Sequence, residues 1–369
     1  MYINFWYPVC TAEELTTEAP LRIEMLKLRF VAFRDGDGTP RVLADTCVHR
    51  GGSLGKGKIK EGRVACPYHG WQFDGEGICK HIPVLGDDGK IPKRAKVDSY
   101  PTAERYGIVF AFLGDLPEAE RPPLYTIEEY DAEGWRANNL VTFEIDAYYE
   151  RSIENGLDPA HNEFVHDRQG NVKFKPETVT VTDSDWGTDI NVGAIPPEKG
   201  TTALEGLRTD DKPDAFGAKT AHWGPNTLIT AIRLSAENEF IQYFFEQPID
   251  ENHTRIFFVN MRNCMLEPEN DQKIEDINMG IAAEDVTVVK ELYPVRTPES
   301  STKEILVKGD ECIGAYRKRL KTWEQNGWRV DLKALRDNEG DIAYAIPSPA
   351  RREMKGWVID ALPLLPAGD

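Results

Sequence analysis

The sequence predicts a two-domain α+β protein, an all-β domain over residues 1–116 followed by residues 117–369, where helices pack on an antiparallel sheet. Three observations predict it. Short apolar runs broken by glycine turns fill the first 115 residues, with no helical period of comparable length. A proline- and acid-rich stretch, Gly114 to Trp135, then interrupts the pattern and reads as the junction. Beyond it strands and long helical periods fall in separate runs, as in an α+β domain rather than in alternating β-α units.

Taken in order, Arg41–Ala44, Arg63–Ala65 and Ile108–Leu113 read as strands of the first domain. In the second, a helical stretch is expected around Tyr148–His166 and strands at Thr227–Leu234, Phe240–Glu246 and Thr254–Met261. Helices follow near Gln272–Leu292 and Cys312–Gln325. The stretch between Ile195 and Asn226, rich in Pro, Gly and charge, reads as a long irregular lid or entrance loop.

With 369 residues, 40% of them hydrophobic, the chain has ample material for buried cores. The net charge of −18 counts against a nucleic-acid binder and against attraction to an anionic membrane. The longest apolar run, Ile108–Leu113, is six residues, far short of a bilayer span. The opening MYINFWYPVC has neither the basic nor the small-residue signature of a secretory signal, so a cytoplasmic location is expected.

The six cysteines are dispersed, unlike those of a small disulfide scaffold, and four of the seven histidines fall in two short clusters. The first cluster is Cys47-Val48-His49 and, after sixteen intervening residues, Cys66-Pro67-Tyr68-His69. Two thiolates and two imidazoles suit a soft or borderline metal, and structural zinc is the competing occupant. Against zinc, each pair mixes one Cys with one His, and glycine-rich turns surround both. A finger instead offers a Cys pair on a hairpin and a His pair on a helix. Two mixed loops suit a two-iron cluster with both thiolates on one iron and both imidazoles on the other.

These residues, CVHRGG and CPYHGWQFDGEG, resemble the Rieske [2Fe–2S] domain of ring-hydroxylating oxygenases. Respiratory-chain Rieske proteins carry an extra cysteine in each loop and a serine bonded to a cluster sulfide. Here those positions hold Gly52, Tyr68 and Trp71. Fewer hydrogen bonds to sulfide imply a reduction potential near the low end of the Rieske range, on the order of −150 mV. Cys10, Cys79, Cys264 and Cys312 read as ordinary buried thiols.

The second cluster lies in NGLDPAHNEFVH, Asn155 to His166. His161, His166 and one carboxylate would make a facial triad that leaves part of an Fe(II) coordination sphere open. An H-x4-H pair is a weak signal alone, and five residues turn about 140° around a regular helix. Both rings reach one metal only if the helix bulges or ends between them. In the stripe Ile277, Ile281, Asp285, Val288, Val289, Leu292, Asp285 lies on the apolar face, where a bare carboxylate is prohibitive. Glu284, at the stripe's edge, is the alternative ligand, and a solvated acid pair is the plain alternative. His81, His222 and His253 have no partner at ligand spacing and read as structural or surface residues, although His222-Trp223 would suit a pocket wall.

The resemblance extends over essentially the whole chain, to the terminal oxygenase (alpha) component of Rieske non-haem iron oxygenases. It implies a helix-grip catalytic domain whose third iron ligand is the aspartate of an E-D pair, here Glu284-Asp285. It implies that Asp158 bridges His161 and the cluster histidine His69 of a neighbouring subunit, with Asn155 near the iron. A homotrimer, O2 as co-substrate and electrons from NAD(P)H through a ferredoxin or flavin-iron-sulfur reductase are implied as well. The implied chemistry is hydroxylation or oxidative demethylation of a small, aromatic organic substrate, with cis-dihydroxylation or angular dioxygenation as alternatives. A non-catalytic electron carrier or ligand-binding protein is the reading from another class. Iron content separates them, about three irons per chain against two. Cys47–Tyr100 carries a net charge of +4 against −22 for the rest. That basic region would steer an acidic donor, or is simply a solvated surface.

Overall fold

Glycine turns and short apolar runs build three small antiparallel sheets in the first part of the chain. Phe5–Thr11 pairs with Ile108–Leu113, which pairs in turn with Thr102–Arg105. A second sheet contains β1 (Pro40–Ala44), paired on one side with Leu28–Arg34. The third contains β2 (Lys58–Lys60), β3 (Arg63–Ala65) and β4 (Gln72–Phe73), ending in Cys79–His81. The Cys47 loop leaves β1 toward β2, and the Cys66 loop joins β3 to β4. Both thiols are buried in one core with Val31, Phe33, Leu43, Leu54, Val64 and Phe73.

The computed structural model describes residues 1–195, 217–298 and 300–368. They form two compact units, Met1–Leu124 with Trp323–Asp369, and Tyr125–Thr322. The boundary expected at 116/117 would put everything after it in the second domain, whereas the C-terminal segment folds with the first. Its backbone explains why: Ile3 N–H donates to Trp328 O at 2.9 Å and Val330 N–H to Met1 O at 3.0 Å. Trp323 packs edge-on against Phe5 at 4.6 Å between centroids, and Arg351 makes a two-pronged bond to buried Asp98, both arms 2.7 Å.

The second unit is built on one antiparallel sheet with helices against it. Its elements include β5 (Val141–Ile145), α1 (Tyr149–Leu157), α2 (Asn162–Val165), β6 (Gly187–Ile195) and β7 (Gly217–Trp223). They continue with β8 (Thr227–Arg233), β9 (Glu239–Pro248), β10 (Thr254–Arg262) and α3 (Asp271–Val289). Strands β6 to β10 pair in chain order, and β5 returns to pair with β10. This is the antiparallel sheet with packed helices that the sequence predicts. Of the irregular stretch expected between Ile195 and Asn226, Gly217–Trp223 is a strand and Gly224–Asn226 a turn, and residues 196–216 lie outside the described residues.

Position 156 fixes how α1 sits on the sheet. A Cβ there would lie 2.1 Å from Leu228 Cδ2, so any larger residue would have to displace the Leu228 side chain of β8, and Thr220 Oγ1 donates to Gly156 O at 3.0 Å. Among the described residues no helix is long and apolar enough to cross a membrane.

Candidate metal centres

The two Cys/His loops repeat one backbone plan. Cys47 N–H donates to Gly52 O and Gly51 N–H to Cys47 O, at 2.8 and 2.9 Å. Cys66 N–H donates to Trp71 O and Gly70 N–H to Cys66 O, at 2.8 and 3.0 Å. Gly51 and Gly70 close the turns at φ +71° and +73°, conformations that cost an L side chain about 1–2 kcal/mol. At position 52 a Cβ would stand 2.8 Å from Cys66 Sγ, so a larger residue would press on the thiol.

The loops hold their thiols in the core and their imidazoles at the exposed end. The His49 and His69 rings meet edge-on at 4.4 Å between centroids, and His49 stacks on Trp71 at 4.6 Å. The hydrogen bond from Cys47 pulls the Cys66 thiol down to about 6 against its burial, helped by the N–H groups of Tyr68 and His69. A depressed thiol is a ready metal ligand. Among the described residues, the only three or more His, Cys, Asp or Glu ligand atoms mutually within 4.8 Å are those of His161, His166 and Asp285. The Cys/His quartet therefore does not close on a single ion, as tetrahedral zinc requires. Thiols at one end and imidazoles at the other fit the longer two-iron cluster.

The second centre starts from Pro159. A proline disfavours helix in the residue before it, so α1 stops at Leu157 and Asp158 turns extended at φ −84°, ψ 113°. One helical turn, α2, follows with His161 at its start. The chain leaves the helix at His166, φ −101°, ψ 74°, so the helix ends at the second histidine and both rings turn to one side. The Nε2 atoms of His161 and His166 are 3.1 Å apart, and Asp285 Oδ1 lies 3.3 and 3.2 Å from them. A first-row divalent ion bonded at about 2.1 Å to three ligands at right angles would hold them about 3.0 Å apart. The three atoms fit that face.

The surrounding groups leave both Nε2 atoms free to ligate. Asp158 O stands 2.6 Å from His161 Nδ1, and Glu284 Oε2 stands 3.1 Å from His166 Nδ1. Asn155 Nδ2 donates to Asp285 Oδ1 at 2.8 Å. Outer partners of this kind fix ring orientation and tautomer. Burial would raise the Asp285 carboxyl, but the bonds from His161 and His166 hold it below the usual carboxylate range. Burial likewise opposes a charged His166, yet Asp285 and then Glu284 raise it above its ordinary value.

The structure thus brings Asn155, His161, His166 and Asp285 together. Glu284, the alternative ligand, instead supports His166 from behind. Asp158 meets His161 through its backbone carbonyl, while its carboxylate accepts from Ala160 N–H at 2.7 Å. The buried face of α3 also differs slightly from the expected stripe. Ile274, Asn278 and Val289 are buried, whereas Val288 is 40% and Leu292 38% exposed. His222 is a core histidine, between Thr188 Oγ1 and Gly224 O, and burial pushes it down to about 4.

The triad lies on the wall of a cavity between the sheet, α1 and α3. Its lining is mostly apolar, including Phe143, Leu228, Phe244, Phe258, Ile281 and Val286. Neither His222 nor Trp223 is part of it. Among the polar wall residues that escaped the sequence reading are Gln242, Glu246 and Asn278. Gln242 Nε2 donates to Asn278 Oδ1 at 3.1 Å. Strand alternation through Gln242, Phe244 and Glu246 was the available signal, since those side chains share one face.

Residues 5–101 match the Rieske [2Fe-2S] domain family, and residues 145–326 match the vanillate O-demethylase oxygenase C-terminal domain family. The chain belongs to the Rieske non-haem iron oxygenases. In this Rieske oxygenase the cysteines and histidines of the first unit lie inside the first match, and all three triad residues inside the second. It is 36% identical over 165 residues to the chloroplastic protein TIC 55 of Arabidopsis thaliana, covering 44% of this chain and 30% of that one. The chain spans less than a third of the length of the chloroplast relatives it matches. It is 26% identical over 361 residues to methylxanthine N1-demethylase NdmA of Pseudomonas putida, covering 92% and 96% of the two chains. The solved structure of an NdmA QL mutant from Pseudomonas putida CBB5 with caffeine shares the fold. Its TM-score is 0.72 at 24% identity, over 88% of this chain and 91% of that one.

Proposed function

We propose that the protein is a terminal oxygenase that hydroxylates or oxidatively demethylates a small, mainly apolar, aromatic substrate, with O2 and electrons delivered through a Rieske cluster. The observation that carries this reading is the convergence of His161 Nε2, His166 Nε2 and Asp285 Oδ1 on the wall of an apolar cavity. The match to an N1-demethylase along nearly its whole length supports demethylation over dihydroxylation. Cys47, His49, Cys66 and His69 would hold the [2Fe–2S] cluster, and His161, His166 and Asp285 the mononuclear iron. When bound, that iron supplies oxygen activation. The chain supplies the rest: Asp158 O and Glu284 orient the two imidazoles, Asn155 holds the carboxylate, and the apolar wall keeps bulk water from the reacting substrate.

Electrons would come from NAD(P)H through a ferredoxin or flavin-iron-sulfur reductase, in a cytoplasmic homotrimer where Asp158 reaches His69 of a neighbouring subunit. The cluster's potential is expected near the low end of the Rieske range, on the order of −150 mV. Product analysis with isotopically labelled O2 tests the reading. One labelled atom in a hydroxylated product, or in formaldehyde trapped as it leaves in a demethylation, with about three irons per chain, is the expected result. Two labelled atoms would mean dihydroxylation, and two irons with no turnover would mean an electron carrier.

A further inference from the structure

Glu246 is an acid inside the substrate cavity for which the iron chemistry has no use. It lies on β9, fully buried, on the strand face that also presents Gln242 and Phe244 to the cavity. Its Oε1 accepts from Ser152 Oγ at 2.7 Å, while its Oε2 has no hydrogen-bond partner. Among the described residues that line the cavity there is no lysine or arginine. Burial without a cation pushes this carboxyl up to about 8, the Ser152 bond offsetting only part of it. At neutral pH the group is therefore a carboxylic acid. With Ser152 donating to Oε1, the acid proton belongs on Oε2, the unpartnered atom.

We propose that Glu246 determines specificity by donating its carboxyl O–H to a hydrogen-bond acceptor of an uncharged substrate, such as a carbonyl oxygen or ring nitrogen, so that carboxylate analogues are rejected. The proposal rests on the cavity being the substrate site. A buried donor left without a partner costs free energy, so the site disfavours molecules of the same shape that lack the acceptor. An anionic substrate would instead bring its charge beside Glu246 with no lysine or arginine among the described lining residues to neutralise it.

The test uses three probes of one shape and anaerobic titration calorimetry on the iron-loaded protein. 4-Methoxyacetophenone carries a neutral acceptor, 4-ethylanisole carries none, and 4-methoxybenzoate carries a carboxylate. The ketone is expected to bind about tenfold tighter than 4-ethylanisole, with the carboxylate weakest. Glu246→Gln keeps a neutral donor and should keep the preference. Glu246→Met should erase it, by weakening the ketone, which loses its donor, and tightening 4-ethylanisole, which no longer strands one. An unaltered preference in Glu246→Met, a carboxylate that binds tightest, or a wild-type protein that discriminates none of the three would overturn the proposal. Iron content and the Rieske spectrum of the same samples keep the two readings apart. Three-iron protein without discrimination defeats the role of Glu246 alone, whereas loss of the mononuclear iron defeats the site assignment.

Discussion

The two ligand sets in this chain are assembled by opposite means. Cys47, His49, Cys66 and His69 come from two loops of six residues each, closed by the same pair of backbone hydrogen bonds and a left-handed glycine. His161, His166 and Asp285 come from a broken helix and from α3, 119 residues further along the chain from His166. The first set leaves its imidazoles in solvent, while the second buries His166 at 2% exposure. Local turn chemistry suffices where a cluster must face outward to receive electrons. Tertiary packing is needed where an open metal face must be kept dry.

The harshest way to break this comparison is to remove one ligand from each set. His161→Ala should abolish turnover, lower iron from about three to about two per chain and leave the Rieske absorption intact. Cys66→Ala should do the reverse to the spectrum: the visible band goes, while the mononuclear site still takes up one iron. If His161→Ala bleaches the Rieske band, the two sets do not act as separate centres.

Asn155→Ala probes the packed site more gently. It removes the donor to Asp285 Oδ1 and leaves all three ligands in place. Loss of such an outer partner costs about 10–100-fold in metal affinity. Iron dissociation measured against a chelator should accelerate by that factor, with cluster content unchanged. An unaltered rate would reduce Asn155 to a helix-end residue.

This contrast also decides what could be read from the sequence. The loops announce themselves because ligand and turn-forming glycine sit within five residues, so a short string contains the whole device. The H-x4-H spacing needed an interruption, and the Asp158-Pro159 pair and the exit at His166 supply it through backbone angles. Asp285 was legible as an acid on an apolar stripe, but that stripe is offset, since α3 buries Ile274 and Asn278 and leaves Val288 exposed. Glu284 and Asp158 kept their neighbourhood in other roles: the Glu284 carboxylate backs His166 instead of joining the triad, and Asp158 meets His161 through its carbonyl. Strands β6 and β7 were missed: Gly187–Ile195 carries only the short alternation Ile190, Val192, Ala194 between glycines and polar residues, and Gly217–Trp223 mixes Gly, Lys and Thr with small apolar residues. The placement of Trp323–Asp369 with the first unit depends on backbone pairing to Met1 and Ile3, which no local pattern encodes.

Protons should distinguish the centres next. In the metal-free protein burial opposes a charged His166, but Asp285 and Glu284 prevail and raise its pKa. A raised histidine adds stability that is full below its unfolded value, about 6.5, and is lost as pH rises through the folded value. Iron must displace that proton, so its affinity should climb with pH, up to about tenfold per unit below the folded value, then level off. The cysteine pair should behave differently: Cys66 is pulled down to about 6, but the Cys47 thiol that donates to it is pushed well up, so cluster loading should keep rising with pH beyond the point where the mononuclear site levels off. Chelator competition at successive pH values, followed beside the Rieske band, separates the two. Parallel curves would mean a shared unfolding event rather than ligand titration.

The smallest expected effects lie within the loops. Gly51→Ala pays only for the left-handed backbone, because nothing stands within 4 Å of its Cβ position. Gly70→Ala has nearly the same φ, but its Cβ would also press on Pro83 Cγ at 3.1 Å. The first should cost about 1–2 kcal/mol and the second somewhat more, read as a lower Tm with the visible band retained in both. Equal losses would mean that backbone handedness alone sets the cost and that Pro83 yields freely. A band bleached by Gly70→Ala but kept by Gly51→Ala would mean that the Cys66 loop, carrying one thiol and one imidazole, has less room to adjust than its twin.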